Sequence, residues 1–260
     1  MGLTLTVLGA AAAWSEAAGR PSSSYMVELD GEALVLDLGQ GSLGSLFEHR
    51  DPSSVLAIAI SHLHADHHVD LAPLRNLLHY GYPEQRHVEL HVPMELRRRY
   101  DVFLGEPGFL DQLPGPELVE GTRRVGPFEL RAHPVSHSLH SFAFRVTDAS
   151  TPDEPGLVYS GDCGVADDLL PLVAPGDTLV CEAFWSTRDP VPEAMHLTAT
   201  QAAGVAMQRQ AGRLILTHIL DAHDPHAALE AAREVFSGPV ELAVRDMLVE
   251  VPERATAGLP

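Results

Sequence analysis

Cysteine is scarce: only Cys163 and Cys181 occur in 260 residues. Two thiols make no disulfide framework and fit a reducing cytoplasm, which is the expected location. Basic residues are also few, with 17 Lys and Arg against 36 Asp and Glu and a formal charge of −19. Such a surface repels phosphate backbones, so DNA is excluded as a partner and long RNA is disfavoured. A small anionic substrate stays allowed, because bound metal ions reverse the field locally. No apolar run approaches the roughly 20 residues that span a bilayer, so no membrane role is expected. The opening Met1–Gly9 has no basic flank and the Ala10–Ala13 run is short, so no signal peptide is expected. Neither a fixed repeat nor a linker interrupts the chain. Residues 1–260 therefore read as one domain, and 45% hydrophobic residues give it a sizeable core.

What the chain has in quantity is histidine, 15 in all, and four of them fall within the eight residues Ser61–His68 together with Asp66. The apolar run Val55–Ile60 precedes them, so the stretch reads as a buried strand ending in a metal-binding loop. His62 and His64 lie two apart, and on an extended chain their imidazoles point the same way. Asp66 and His67 approach from another side as the chain turns into a helix. That arrangement can hold two metal ions. Imidazole and carboxylate suit zinc, with manganese or iron as alternatives.

Other strands end on ligand-capable residues. Leu3–Leu8, Tyr25–Leu29 and Ala33–Gly39 read as antiparallel strands, with Asp30-Gly31 as a hairpin turn. Asp37 is either a turn residue or an acceptor behind a ligand histidine. Helices are expected at 43–49, 69–80, 93–103, 199–210 and 225–236, with Thr198 as an N-cap. Further strands are expected at 87–92, 128–132, 142–146, 157–160, 178–183 and 213–218, and closing strands within 240–251. The Pro/Gly-rich stretch 107–116 is a connection, with a rim or lid as its functional alternative. His62, His64, His137, Asp162, Glu182 and His218 sit at strand ends or in the loops that follow. Sites assembled from strand ends are rigid and convergent.

His62-Leu63-His64-Ala65-Asp66-His67 resembles the H-x-H-x-D-H signature of the metallo-β-lactamase fold, and His137, Asp162 and His218 follow in that family's order. The resemblance covers nearly the whole chain. It implies an α/β fold, a four-layer αβ/βα sandwich with mixed sheets and two metals at one edge. It implies that His62, His64 and His137 hold the first metal, that Asp66, His67 and His218 hold the second, and that Asp162 bridges them. Two Zn2+ per chain are the implied cofactors, and a bridging hydroxide is the implied nucleophile. Asp66 is also a candidate to orient or deprotonate that water.

Tyr159-Ser160-Gly161-Asp162, Cys181-Glu182-Ala183 and His196-Leu197-Thr198 are similar to the ribonuclease Z-like phosphodiesterase branch. Carry-over makes His196 the general acid and Glu182 its orienting partner. The chain shows no room for a long tRNA-gripping arm, and it looks closer to compact bacterial cyclic-nucleotide phosphodiesterases. The expected substrate is a cyclic nucleotide or another small phosphodiester. The alternatives are RNA 3′-processing, a thioester or lactone hydrolase, and a metal-binding protein without activity. A homodimer is implied by resemblance alone. Cys163 reads as a small buried residue, and His68, His133, His140 and His223 as non-ligands.

Overall fold

The computed structural model describes residues 2–14, 19–188 and 195–251. The first half of the chain runs β1 (Thr4–Gly9), β2 (Ser24–Leu29), β3 (Glu32–Leu36), α1 (Ser42–His49), β4 (Ala57–Ala59), α2 (Leu71–Tyr80), β5 (Glu89–His91) and α3 (Leu96–Leu104). The second half begins β6 (Gly121–Val125), β7 (Phe128–Val135), β8 (Ser141–Asp148), β9 (Leu157–Tyr159) and β10 (Thr178–Glu182). It ends α4 (Ala199–Gln208), β11 (Arg213–Thr217), α5 (Pro225–Val235), β12 (Val240–Leu242) and β13 (Leu248–Glu250).

Alternation along the strands creates the layers. Leu5, Val7, Tyr25, Val27, Leu34 and Leu36 point between the two sheets, where they meet Phe128, Phe144, Tyr159, Val180 and Ile215. Their chain neighbours Leu8, Met26, Ala33, Val35 and Ile58 face the other way, onto Leu43 and Leu46 of α1, Leu71, Leu74 and Leu78 of α2, and Tyr100 of α3. On the far side Leu179, Cys181, Leu214 and Leu216 pack under the alanine face of α4 and Ala228 and Ala232 of α5. Three apolar interfaces between four layers make the expected α/β sandwich.

The sheets are mixed in the same sense. The first is ordered β13-β1-β2-β3-β4-β5 and the second β12-β11-β10-β9-β8-β7-β6. β3, β4 and β5 run parallel, as do β9, β10, β11 and β12. In both sheets the remaining pairs are antiparallel, including β1 with β2 and β7 with β8. Ligand sites in such sheets form beyond the carboxyl ends of parallel strands. Asp37 follows β3, His62 follows β4, Asp162 follows β9, Glu182 ends β10 and His218 follows β11.

Several boundaries differ from the sequence reading. The run 55–60 supplies only the three strand residues of β4, because the chain turns out toward the site at Ser61. The closing stretch 240–251 divides between the two sheets, β12 beside β11 and β13 beside β1. β6 escapes the pattern reading because it is an edge strand with charged, exposed side chains. Residues 107–116 are no lid. Their carbonyls accept from Leu90 and Val92 of the β5 edge, and Phe109, Leu110 and Leu113 are buried. No described helix is long and apolar enough to cross a membrane.

Candidate metal centre

Two glycines let the backbone close around the centre. A Cβ on Gly39 would stand 2.0 Å from the Asp66 carbonyl oxygen, so the loop after β3 packs directly against the histidine loop. Gly161 has φ +57, and a Cβ there would lie 2.6 Å from the Phe142 carbonyl oxygen. It turns Asp162 inward. Asp37 and His218 also take left-handed φ, 59° and 53°. Asp and His tolerate that region better than most residues, and such conformations gather at functional sites.

Hydrogen bonds fix the imidazole tautomers, and the tautomers fix where the lone pairs point. His67 Nδ1 donates to Asp37 Oδ2 at 2.7 Å, which leaves its Nε2 as an acceptor. That Nε2 lies 3.3 Å from Asp162 Oδ1 and 3.6 Å from Asp66 Oδ2, both acceptors. The Ser61 hydroxyl donates to Asp37 Oδ2, so it accepts from His62 Nδ1 at 3.0 Å. His137 Nδ1 donates to the Met195 carbonyl at 2.7 Å. The free Nε2 atoms of His62 and His137 then face His64 Nδ1 at 3.0 and 3.2 Å. His218 Nε2 lies 3.4 Å from Asp162 Oδ2, and its Nδ1 lies 3.0 Å from Ser23 Oγ.

With His67 in its Nδ1–H tautomer, acceptors therefore converge on acceptors around its Nε2. His67 Nε2 and Asp162 Oδ1 are buried and have no hydrogen-bond partner. Buried lone pairs facing each other are costly unless an electrophile lies between them. The donor chemistry fits divalent metals, and the ligand-capable atoms fall into two groups. His62, His64, His137 and Asp162 form one, and Asp66, His67 and His218 form the other. A third, overlapping set adds His196 to Asp162 and His218. Every histidine and aspartate proposed from sequence as a ligand is present at the centre.

The electrostatics match. Burial, with neighbouring imidazoles adding, pushes His62 well below the usual histidine range. Burial also lowers His64 and His137, so these rings are neutral and able to ligate near pH 7. At His67 burial opposes protonation, but Asp162 and Asp37 outweigh it and raise the pKa well above the ordinary value, a pull toward positive charge at Nε2 that either a proton or a metal ion answers. Burial likewise opposes ionisation of Asp162, but the imidazoles around it, His218 and His67 first, outweigh burial and hold its pKa well below the ordinary carboxylate range. The carboxylates thus call for positive charge at the centre.

His196 stands beside these groups, its Nδ1 bonded to Glu182 Oε1 at 3.0 Å and 3.9 Å from Asp162 Oδ2. Glu182 is fully buried and also accepts from the backbone N–H groups of Cys163, Phe184 and Leu197. It cannot swing away. Burial lowers the His196 pKa, but Glu182 outweighs burial and raises it. The Phe184 ring stacks on His196 at 4.1 Å. Thr198 and Gln201 form a capping box that starts α4 two residues on.

Asp37 takes the supporting role: besides His67 it accepts from Ser61 N–H and from the Tyr159 hydroxyl. Asp66 Oδ2 accepts from Ala13 N–H at 2.8 Å. Sequence reasoning missed Ser23, Ser61, Tyr159, Phe184 and the Met195 carbonyl as supports. Ser61 and Tyr159 stood inside recognised motifs, whereas nothing local marked Ser23. Cys163 is buried and joins none of the ligand-capable groups. His68 turns away to Tyr100, His133 is a β7 residue, His140 is exposed and His223 lies by Trp185.

Residues 35–219 match the family described as the β-lactamase superfamily domain. An uncharacterised protein of Mycobacterium leprae is 32% identical, covering 90% of this chain and 84% of its own length. A ribonuclease Z of Myxococcus xanthus is 30% identical, covering 97% of this chain and 99% of its own. The crystal structure of the metallo-β-lactamase fold protein YhfI from Bacillus subtilis superposes with a TM-score of 0.85 at 23% identity, over 96% of this chain and 100% of that one. With its ligand-capable groups at the strand ends, the chain belongs to the β-lactamase superfamily as a metallo-hydrolase of the metallo-β-lactamase fold.

Proposed function

We propose that this protein is a two-metal phosphodiesterase acting on cyclic nucleotides or other small phosphodiesters. His62, His64 and His137 would hold one dication, Asp66, His67 and His218 the other, and Asp162 both, with zinc the best match to the donors. When bound, two dications supply Lewis acidity toward phosphoryl oxygens and lower the pKa of water. The Asp66 carboxylate, steadied by Ala13 N–H, is placed to orient the attacking water and take its proton. As the water oxygen bonds to phosphorus, the ester P–O bond breaks. His196, its Nδ1–H held by Glu182, gives its Nε2 proton to the departing alkoxide.

The observation that carries this reading is the His196–Glu182 pair beside Asp162. An alkoxide is a poor leaving group and needs a proton, and this pair presents a raised-pKa imidazole beside the centre. The surface charge favours small substrates over RNA. RNA 3′-processing is the second reading, favoured by the ribonuclease Z relative. His196→Ala should lower kcat on a cyclic nucleotide by roughly 100-fold or more while both metals stay bound. Wild-type turnover in that variant would refute the acid. Faster hydrolysis of a lactone or thioester than of any phosphodiester would refute the substrate class.

A further inference from the structure

Beside the centre lies a cavity of about 480 Å³ that the mechanism does not use. His137 forms part of its wall, and Ser138 Oγ stands 3.4 Å from His64 Nε2, so the cavity opens onto the first group of ligand-capable atoms. Met94, Val119, Leu139 and Phe142 supply apolar walls. Met94 and Val119 are exposed, 56% and 62%, although each is an apolar side chain with its own cost in water. Among the described residues lining it none is Lys or Arg, so it is not a place for phosphate. Ser136, Ser138 and Glu120 set hydrogen-bonding groups among the apolar walls. A second cavity of about 250 Å³, behind Leu63 between the histidine loop and α3, is lined by none of the ligand-capable residues.

We infer that the larger cavity receives the nucleobase of the substrate while the phosphodiester lies on the centre. This rests on the phosphodiesterase reading and names the arm that the site selects. A flat base lays its faces on the apolar walls and turns its polar edge to the exposed Ser136 and Ser138 hydroxyls, a match to this mixed lining that an alkyl chain lacks. The volume suits one base with its sugar.

Three p-nitrophenyl phosphodiesters with the same leaving group test this, their second arm being methyl, hexyl or a nucleoside. The metal-loaded wild type should show a kcat/KM at least tenfold higher for the nucleoside arm than for the methyl arm. Val119→Asp and Met94→Glu, both surface changes, should each reduce that ratio at least threefold. Calorimetry should show a nucleoside monophosphate binding at least tenfold tighter than inorganic phosphate, with the ratio falling in the same variants. Equal rates for methyl and nucleoside arms, or ratios unchanged in both variants, would overturn the inference while leaving a phosphodiesterase. An equal advantage for hexyl would overturn the nucleobase. Hydrolysis of none of the three would overturn the phosphodiesterase reading itself.

Discussion

Asp37→Asn isolates the support beneath the centre. Asp37 is fully buried at φ 59°, a conformation asparagine adopts readily, so the backbone has no reason to move. Its Oδ2 accepts from His67 Nδ1, Ser61 Oγ and Tyr159 OH, each at 2.7 Å, and its Oδ1 accepts from Ser61 N at 2.6 Å. The amide places its one oxygen best toward the three donors. Its NH2 then meets the Ser61 N–H, leaving a buried donor unpaired at a cost of about 1–3 kcal/mol. The other bonds lose their charge assistance, so a total of roughly 2–4 kcal/mol is expected. For a chain of this size that lowers Tm by roughly 5–15 °C, read on chelator-treated protein. His67 also loses the carboxylate that fixes its tautomer and strengthens Nε2 as a donor. Metal affinity should fall roughly 10–100-fold, read by competition with a chromogenic chelator. Wild-type affinity, within twofold, would refute the claim that Asp37 holds His67 for a metal.

Gly39→Ala should cost at least about 3 kcal/mol, because the new Cβ would press on the Asp66 backbone; an unchanged Tm would show that this loop can shift freely. Thr198→Ala should cost about 1 kcal/mol in urea unfolding by removing the α4 cap, with metal stoichiometry unchanged; no change in midpoint would show the capping box to be energetically idle. Cys163 and Cys181 are buried, and both thiols have raised pKa values because of that burial, with nearby acidic groups adding. Neither should react with Ellman's reagent in the native protein, and both should react in guanidinium; rapid native labelling would show that the loop after Asp162 opens.

Ser61–His68 announced a metal centre because histidines and an aspartate crowded behind a buried strand have little other use. Period-two alternation marked the strands β1 to β3 for the same reason, since it is a local pattern, whereas the fold class came only through the family resemblance. His137, Asp162 and His218 stood out as strand-end candidates, but their assignment to one metal or the other came only through the family pattern, since they lie far apart in sequence. Tertiary structure decided the rest. The tautomers of His62, His67 and His137 depend on Ser61, Asp37 and the Met195 carbonyl, some of them far away in sequence. Ser23 meets His218 across 195 positions, a pairing no local signal encodes. The β6 edge and the division of 240–251 between two sheets depend on which strand lies beside which. Sequence by itself determined which chemistry the residues can do. Folding decided which lone pairs face one another, because that direction is set by hydrogen bonds between segments that meet only in the finished sandwich.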